Sequence, residues 1–230
     1  MRILAIDTAT EACSAAVLSG DTLVSRNSLL GRAAAESILG LVDEVLVQTG
    51  TTLKDLDAVA FGRGPGSFTG VRLAVGVAQG LAFGAGLPVV GVSDLRALAQ
   101  QALDASSDSM GVVVCNDARM HEVYWAFCAR DREGLARLVE PERVGRPDTV
   151  QLPLGAQTPV LGVGTGFRAY PELGRLLQGK LTGIRAELLP RADEVARLAK
   201  VELLAGRAVP PEQALPVYLR EQVAMPPSHE

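Results

Sequence analysis

An apolar run that closes on an aspartate occurs twice in this chain, as Ile3-Leu4-Ala5-Ile6-Asp7 and as Val112-Val113-Val114-Cys115-Asn116-Asp117. Runs this short and this apolar read as strands buried on both faces, with a carboxylate where the strand leaves the sheet. After the first come Ala12 to Leu18 and Thr22 to Ser28, a hairpin turning at Ser19-Gly20-Asp21. The order continues with a helix from about Ala33 to Thr49, a strand at Ala58 to Phe61, a helix from about Thr69 to Ala85 and a strand at Val89 to Val92. A helix at Asp94 to Leu103, capped by Ser93, closes this half. After the second run come strands at Val123 to Ala129, Leu135 to Val139 and Pro159 to Val163, then helices at about Tyr170 to Leu177 and Asp193 to Leu204. Strands followed by α–β alternation predict an α/β fold, a mixed sheet flanked by helices, built twice.

The polar stretch Asp104-Ala105-Ser106-Ser107-Asp108-Ser109 is the expected boundary. It divides the chain into a first lobe, 1–105, and a smaller second lobe, 106–189. Residues 190–230 are expected to return as a helix and a strand, Pro216-Val217-Tyr218-Leu219-Arg220, with a tail disordered from about residue 224.

Aromatics make up only 4% of a chain that is 48% hydrophobic, so the core is built from Ala, Val and Leu, as helix-covered parallel strands require. Net charge is −4 and the 22 Lys and Arg are scattered, which argues against a chain that grips nucleic acid alone. Cys13, Cys115 and Cys128 are too few and too far apart for a disulfide framework or a zinc site, and read as small buried residues in a reducing compartment. No signal peptide is read, because Asp7 ends the first apolar run. The uncharged stretch Leu73 to Val92 is long enough to span a bilayer, but Gly86-Leu87-Pro88 divides it into a helix and a strand. A soluble, cytoplasmic protein is therefore expected.

Chemistry has few residues to work with. His121 and His229 are the only histidines, without the spacing of a zinc pair and with no G-x-S-x-G elbow for a serine triad. No catalytic or metal-binding residue is therefore assigned. The segment Gly62-Arg63-Gly64-Pro65-Gly66-Ser67-Phe68-Thr69-Gly70-Val71-Arg72 joins a strand to a helix and lacks the Lys-Ser/Thr of a Walker loop. Its amides are placed for an anion nest; equally, its glycines turn the chain while Ser67 or Thr69 caps the helix. Folds that hold ATP between two lobes use glycine hairpins so that backbone approaches phosphate. Here the hairpins read Asp7-Thr8-Ala9-Thr10 and Asp117-Ala118-Arg119-Met120, without glycine, while Gly164 and Gly166 lie in a Gly-rich turn. Asp7, Thr8, Asp117, Gly164 and Gly166 are thus candidates for a degenerate nucleotide site at most.

The helix after the glycine loop points to a partner. Leu73, Gly76, Gly80 and Gly84 share one face, and Val71, Ala74, Ala78, Leu81, Ala82 and Ala85 cover the other. Each interior glycine costs about 1 kcal/mol relative to alanine, which close approach of another backbone offsets. With Ile38, Leu41, Val42 and Val45 of the preceding helix, these residues are expected to form a protein-binding surface.

These segments resemble the TsaB (YeaZ) family of bacterial tRNA-modification proteins. The likeness runs through Ile3 to Ser14, Gly62 to Arg72, Ala78-Gln79-Gly80-Leu81-Ala82, Asp117 to Met120 with Glu122 to Ala126, and Pro216 to Arg220. It implies two actin-like (ribonuclease H-like) lobes and a non-catalytic scaffold bound directly to the paralogue TsaD, with the ATPase TsaE joining. That complex transfers a threonylcarbamoyl group, made as an adenylate by TsaC, to the adenosine 3′ of the anticodon in tRNAs reading codons that begin with A. The resemblance places ATP or ADP and the metal on the partner subunit, brings tRNA only through the complex, and implies a homodimer when TsaD is absent. Arg32-Ala33-Ala34-Ala35-Glu36-Ser37 stands where family members often carry a His-bearing segment, and Gly40 where they often have proline, so no role for that histidine carries over. Two other readings compete. A glycoprotease-type peptidase needs a metal-binding histidine pair that the sequence lacks, and a free-standing ATP-binding, kinase-like protein is disfavoured by the glycine-free hairpins.

Overall fold

The computed structural model describes residues 1–29, 34–106, 108–156 and 159–220. The readings placed on Arg32, Ala33, Ser107, His229 and the tail lie outside them.

Strand β1 (Arg2–Asp7) is the centre of a five-stranded sheet ordered β3-β2-β1-β4-β5, with β2 (Ala12–Ser19) and β3 (Thr22–Leu29) antiparallel and β4 (Ala58–Gly62) and β5 (Val89–Val92) parallel. Helices α1 (Ala34–Thr49) and α2 (Phe68–Ala85) lie side by side on one face. Helix α3 (Asp94–Asp104) follows β5. The second sheet repeats the plan as β11-β10-β6-β7-β8, from β6 (Gly111–Asp117), β7 (Val123–Arg130), β8 (Ala136–Leu138), β10 (Val160–Val163) and β11 (Leu181–Arg185), while β9 (Arg143–Gly145) pairs with β7. Helices α4 (Gly166–Ala169) and α5 (Glu172–Leu176) belong to this half. Helix α6 (Ala192–Leu204) returns to the open face of the first sheet, where Val195, Leu198 and Ala199 meet Ile3, Ala5 and Ala60. Both halves are mixed α/β, as the paired Asp-ended runs predict.

Helix α3 joins the two. Leu95, Leu98, Ala99, Ala102 and Leu103 pack on Val112, Val114, Ala126 and Leu161 of the second sheet, while Ala97 turns to α6. A helix buried on nearly every side cannot shift without uncovering apolar surface, and each large side chain so buried contributes about 1.5–3 kcal/mol. Its start is capped as expected, the Ser93 hydroxyl accepting from the Arg96 amide at 3.0 Å.

Several local expectations are corrected. The helix read at Tyr170 to Leu177 is the shorter Glu172–Leu176, and an unexpected short helix, Gly166–Ala169, precedes it; Pro171 disfavours helical backbone at Tyr170 between them, which sits at φ −132°, ψ 84°. Strands β9 and β11 were not expected; both are short, partly exposed and carry charge, so no alternation marks them. Pro216 to Arg220 is not a strand: it is held by the Val217 amide donating to the Arg63 carbonyl at 2.8 Å and by Arg220, whose guanidinium meets the Ala118 carbonyl and Glu122.

The glycine loop crosses the turn after β1 at backbone contact. The Ser67 amide donates to the Ala9 carbonyl at 2.7 Å and the Thr8 hydroxyl to the Gly70 carbonyl at 2.7 Å. A side chain at Gly66 would meet Ala9, and one at Gly70 would collide with the Thr8 carbonyl. In the second half, the turn between β6 and β7 holds Arg119, Met120 and His121 at φ 61°, 55° and 59°, a left-handed run without glycine. Such backbone costs roughly 1–2 kcal/mol per non-glycine residue.

Two outcomes are expected in chemical denaturation. Gly70→Ala destabilises the chain by roughly 1–3 kcal/mol, because overpacking against fixed backbone outweighs alanine's helix preference. His121→Gly raises stability by about 1 kcal/mol, because the left-handed turn is then unstrained; an unchanged midpoint would show that the turn is held without strain.

Candidate functional site

Two surfaces are candidates. The first is a cleft of about 1030 Å³ between the halves. Its walls are the turn after β1 (Thr8 to Glu11), the start of α2 (Gly66 to Gly70), the end of β6 with its turn (Asn116 to Arg119), Thr165 and Arg168 near α4, and Tyr218 to Arg220. Glu11 and Arg168 reach towards each other across it at 3.9 Å.

Of the five residues proposed for a degenerate nucleotide site, the structure brings only Thr8 and Asp117 to this cleft. Asp7 is fully buried beneath the glycine loop, with one carboxylate oxygen accepting from the Ala9 amide at 3.0 Å. Gly164 and Gly166 lie off the cleft and press on the Cys115 carbonyl, where a Cβ would stand 2.6 and 2.7 Å from its oxygen. Those three assignments are corrected, because close packing at the strand ends claims all three. Asp117 is itself engaged: it accepts from the Arg119 amide at 2.8 Å and the Tyr170 hydroxyl at 3.0 Å, and pairs with the Arg119 guanidinium at 3.0 Å. Desolvation, then the bond to Asp117, raises the Tyr170 hydroxyl above its ordinary value.

The glycine loop also uses its amides internally. Arg63 donates to the Val92 carbonyl, Gly64 to an Asp94 carboxylate oxygen and Ser67 to Ala9, while the Ser67 hydroxyl caps α2 by accepting from Gly70 at 3.5 Å. Of the two readings of this loop, turn-and-cap describes what these groups do. At the cleft mouth, Arg72 stacks on Phe68, 3.5 Å from the ring centroid, and donates to the Tyr218 hydroxyl at 2.6 Å.

Among the described residues no group of three or more His, Cys, Asp or Glu side chains is placed to hold a metal ion. His121 stands at the β6–β7 turn, edge-on to Tyr170 and 3.7 Å from Glu172. The three thiols are buried; burial, then the Asp7 carboxylate, pushes Cys13 up to about 11, and burial pushes Cys128 up to about 12. All three are neutral at physiological pH and poor nucleophiles.

The second surface is the outer side of α1 and α2. Ile38, Val42 and Val45 do not belong to it: they are at most 3% exposed and face the first sheet with Val71, Ala74 and Ala78. Helical spacing marks an apolar stripe but does not say which neighbour covers it, and here the chain's own sheet does. Leu41 and Leu73 are half-buried at the rim of that core. Gly76, Gly80 and Gly84 are exposed, and among the described residues a Cβ on any of them would meet nothing within 4 Å. Phe83 on α2 and Leu39 and Val47 on α1, 77, 56 and 72% exposed, are further apolar side chains on these two helices that the sequence reading missed. Phe83 was accessible to the helical wheel, which sets it on the glycine side. Helix α2 is also long and apolar enough to cross a membrane by composition, yet Val71, Ala74, Val75, Ala78 and Ala82 bury one side against the sheet.

Residues 28–227 match the family described as TsaD, tRNA N6-adenosine threonylcarbamoyltransferase. The chain is 44% identical to the tRNA threonylcarbamoyladenosine biosynthesis protein TsaB of Escherichia coli, covering 97% of this chain and 96% of that one. It is 40% identical to TsaB of Haemophilus influenzae, over 97% and 95%. The crystal structure of YeaZ from Pseudomonas aeruginosa superposes with a TM-score of 0.87 at 42% identity, covering 95% of this chain and 99% of that one. Component A of (R)-2-hydroxyglutaryl-CoA dehydratase from Acidaminococcus fermentans, at 11% identity and a TM-score of 0.51, shares the fold alone. With the duplicated actin-like architecture and these near-full-length matches, the chain belongs to the TsaB (YeaZ) family of tRNA threonylcarbamoyladenosine biosynthesis proteins.

Proposed function

We propose that this chain is a non-catalytic scaffold that binds TsaD directly, within a complex that TsaE joins and that transfers the threonylcarbamoyl group to the adenosine 3′ of the anticodon. The observation that carries this is the exposed glycine row of α2. Three glycines at four-residue spacing weaken a solvent-facing helix for no return among the described residues, none of which lies within 4 Å of where their side chains would be. Close approach of a partner helix gives them a reason; Phe83 lies on the same side of α2, and Leu39 and Val47 of α1 are exposed apolar side chains as well. TsaD, whose family model matches residues 28–227 of this chain, α1 and α2 included, is the proposed occupant, and a second copy of this chain takes its place when TsaD is absent.

The remaining features agree with a partner-dependent role. The cleft holds no glycine hairpin for phosphates, and Asp7 is buried away from it. ATP, ADP and metal are therefore assigned to the partner subunits, and tRNA, which this acidic chain is poorly charged to hold, to the assembled complex. Such a complex works in the cytoplasm.

Mixing the chain with a TsaD homologue and measuring complex mass by light scattering tests this reading. A heterodimer is expected with the wild type. Gly80→Ala stabilises the free chain by about 1 kcal/mol, as at any exposed helical glycine. Gly80→Leu folds with little change in melting temperature yet abolishes the heterodimer, because the side chain occupies the partner's closest approach. A Gly80→Leu chain that still binds TsaD with wild-type affinity excludes this face. The isolated chain, with Mg²⁺ and ATP, releases phosphate at the background rate.

A further inference from the structure

The ends of three neighbouring strands carry a buried acidic pair that the scaffold reading does not use. Asp7 closes β1, Gly62 closes β4, and Asp94 follows β5 at the start of α3. Both carboxylates are fully buried, and they converge on Gly62, where a Cβ would collide with an oxygen of each. One oxygen of each is satisfied: Asp7 Oδ1 accepts from the Ala9 amide at 3.0 Å, and Asp94 Oδ2 accepts from the Gly64 amide. The other two, Asp7 Oδ2 and Asp94 Oδ1, are completely buried without a donor among the described residues. Two carboxylate oxygens facing one point in a dry interior repel strongly unless something lies between them.

Among the described residues, the surrounding groups supply no charge to separate them. Arg63 turns away to Glu142 of the second half, at 2.7 Å, and the Ser93 hydroxyl donates to the same Glu142 at 2.5 Å. Cys13, on β2, is a neutral thiol. Glu142 adds a further negative charge on the Asp94 side.

We propose that Asp7 and Asp94 share a single proton, and that this O–H···O bond ties the end of β1 to the start of α3, which the Gly64 amide in turn joins to the glycine loop. Asp94 is the acid and Asp7 the acceptor, since Glu142 disfavours charge on Asp94. Desolvation raises both carboxyls above their ordinary value of 3.8, Asp94 the further. Folding therefore takes up a proton that the unfolded chain releases above that value. The pair's contribution is fully present below about pH 4 and is lost as pH rises towards the raised value in the fold, by up to tenfold in the folding equilibrium per pH unit, about 1.4 kcal/mol.

Amide substitutions in the full-length chain test the bond by its own logic. In Asp94→Asn the amide oxygen still accepts from Gly64 while the amide nitrogen donates to Asp7. Asp7→Asn does the same from the other side. Each single variant is expected to fold, to bind no extra proton on folding, and to gain stability relative to the wild type as pH rises from about 4, up to tenfold in the equilibrium per unit. In the double variant, two NH₂ groups face each other, so it loses more stability than the two single effects predict. In the wild type, carbon-13 carboxyl shifts show one of these two groups still protonated well above the ordinary carboxylate range. The proposal is overturned if both carboxyls titrate near 4, or if the single variants differ from the wild type equally at every pH. A stability that rises with Na⁺ or K⁺ at fixed ionic strength, without proton uptake, would put a cation there and overturn it too.

Discussion

Bare backbone against bare backbone is the contact on which the rest of this structure depends. The turn after β1, Thr8 and Ala9, lies directly on the loop that opens α2, and the crossing is tight enough that Gly66 and Gly70 leave no space for a methyl group. Hydrogen bonds through Ser67 and Thr8 lock the crossing. Because α2 begins at that loop, its direction across the sheet follows from the crossing, and so does the side it turns outward. Beneath the same loop, Gly62 leaves room for the two buried carboxylates, and Gly64 binds one of them. One short glycine-rich segment therefore organises a strand end, a helix and the joint with the second half.

The joint itself is apolar and charged in layers. Helix α3 seals the halves with leucine and alanine on the second sheet, while α6 covers the first sheet on its open face. Around them run ion pairs between elements distant in sequence: Arg63 with Glu142, Arg96 with Glu202, and Arg220 with Glu122. Single ion pairs at partly exposed positions contribute at most about 1 kcal/mol, so their role is chiefly to select one arrangement of the halves, with burial supplying the stability. This joint positions the cleft and the outer face of α1 and α2 relative to each other, which suits the proposed scaffold role.

Much of this was legible along the chain. Two Asp-ended apolar runs announced the duplicated α/β plan, Ser67 and Ser93 announced their helices, and the glycine spacing of α2 announced a face without side chains. What stayed hidden depended on neighbours far away in sequence. Ile38, Val42 and Val45 carry the same periodic signal whether a partner or the chain's own sheet covers them, and only the packing of α1 on β2 and β3 shows that it is the sheet. Strands β9 and β11 carry charge and little alternation, so their pairing with β7 and β10 left no trace in their own residues. Phe83, among small residues on the wheel, was overlooked because glycine dominated the reading of that side.

The amino-acid sequence by itself determined the class of fold and most of the order of its elements, because these follow from local periodicity, capping residues and composition. Only the tertiary structure decided that Asp7 is buried and not open to the cleft, that Gly164 and Gly166 serve packing, that the glycine row of α2 faces outward, and that Asp94 meets Asp7. Each of those depends on which atoms, up to nearly ninety residues apart in the chain, come within van der Waals distance when the sheets close. A linear pattern records what a residue can do; the surface against which it is pressed decides which of those things it does.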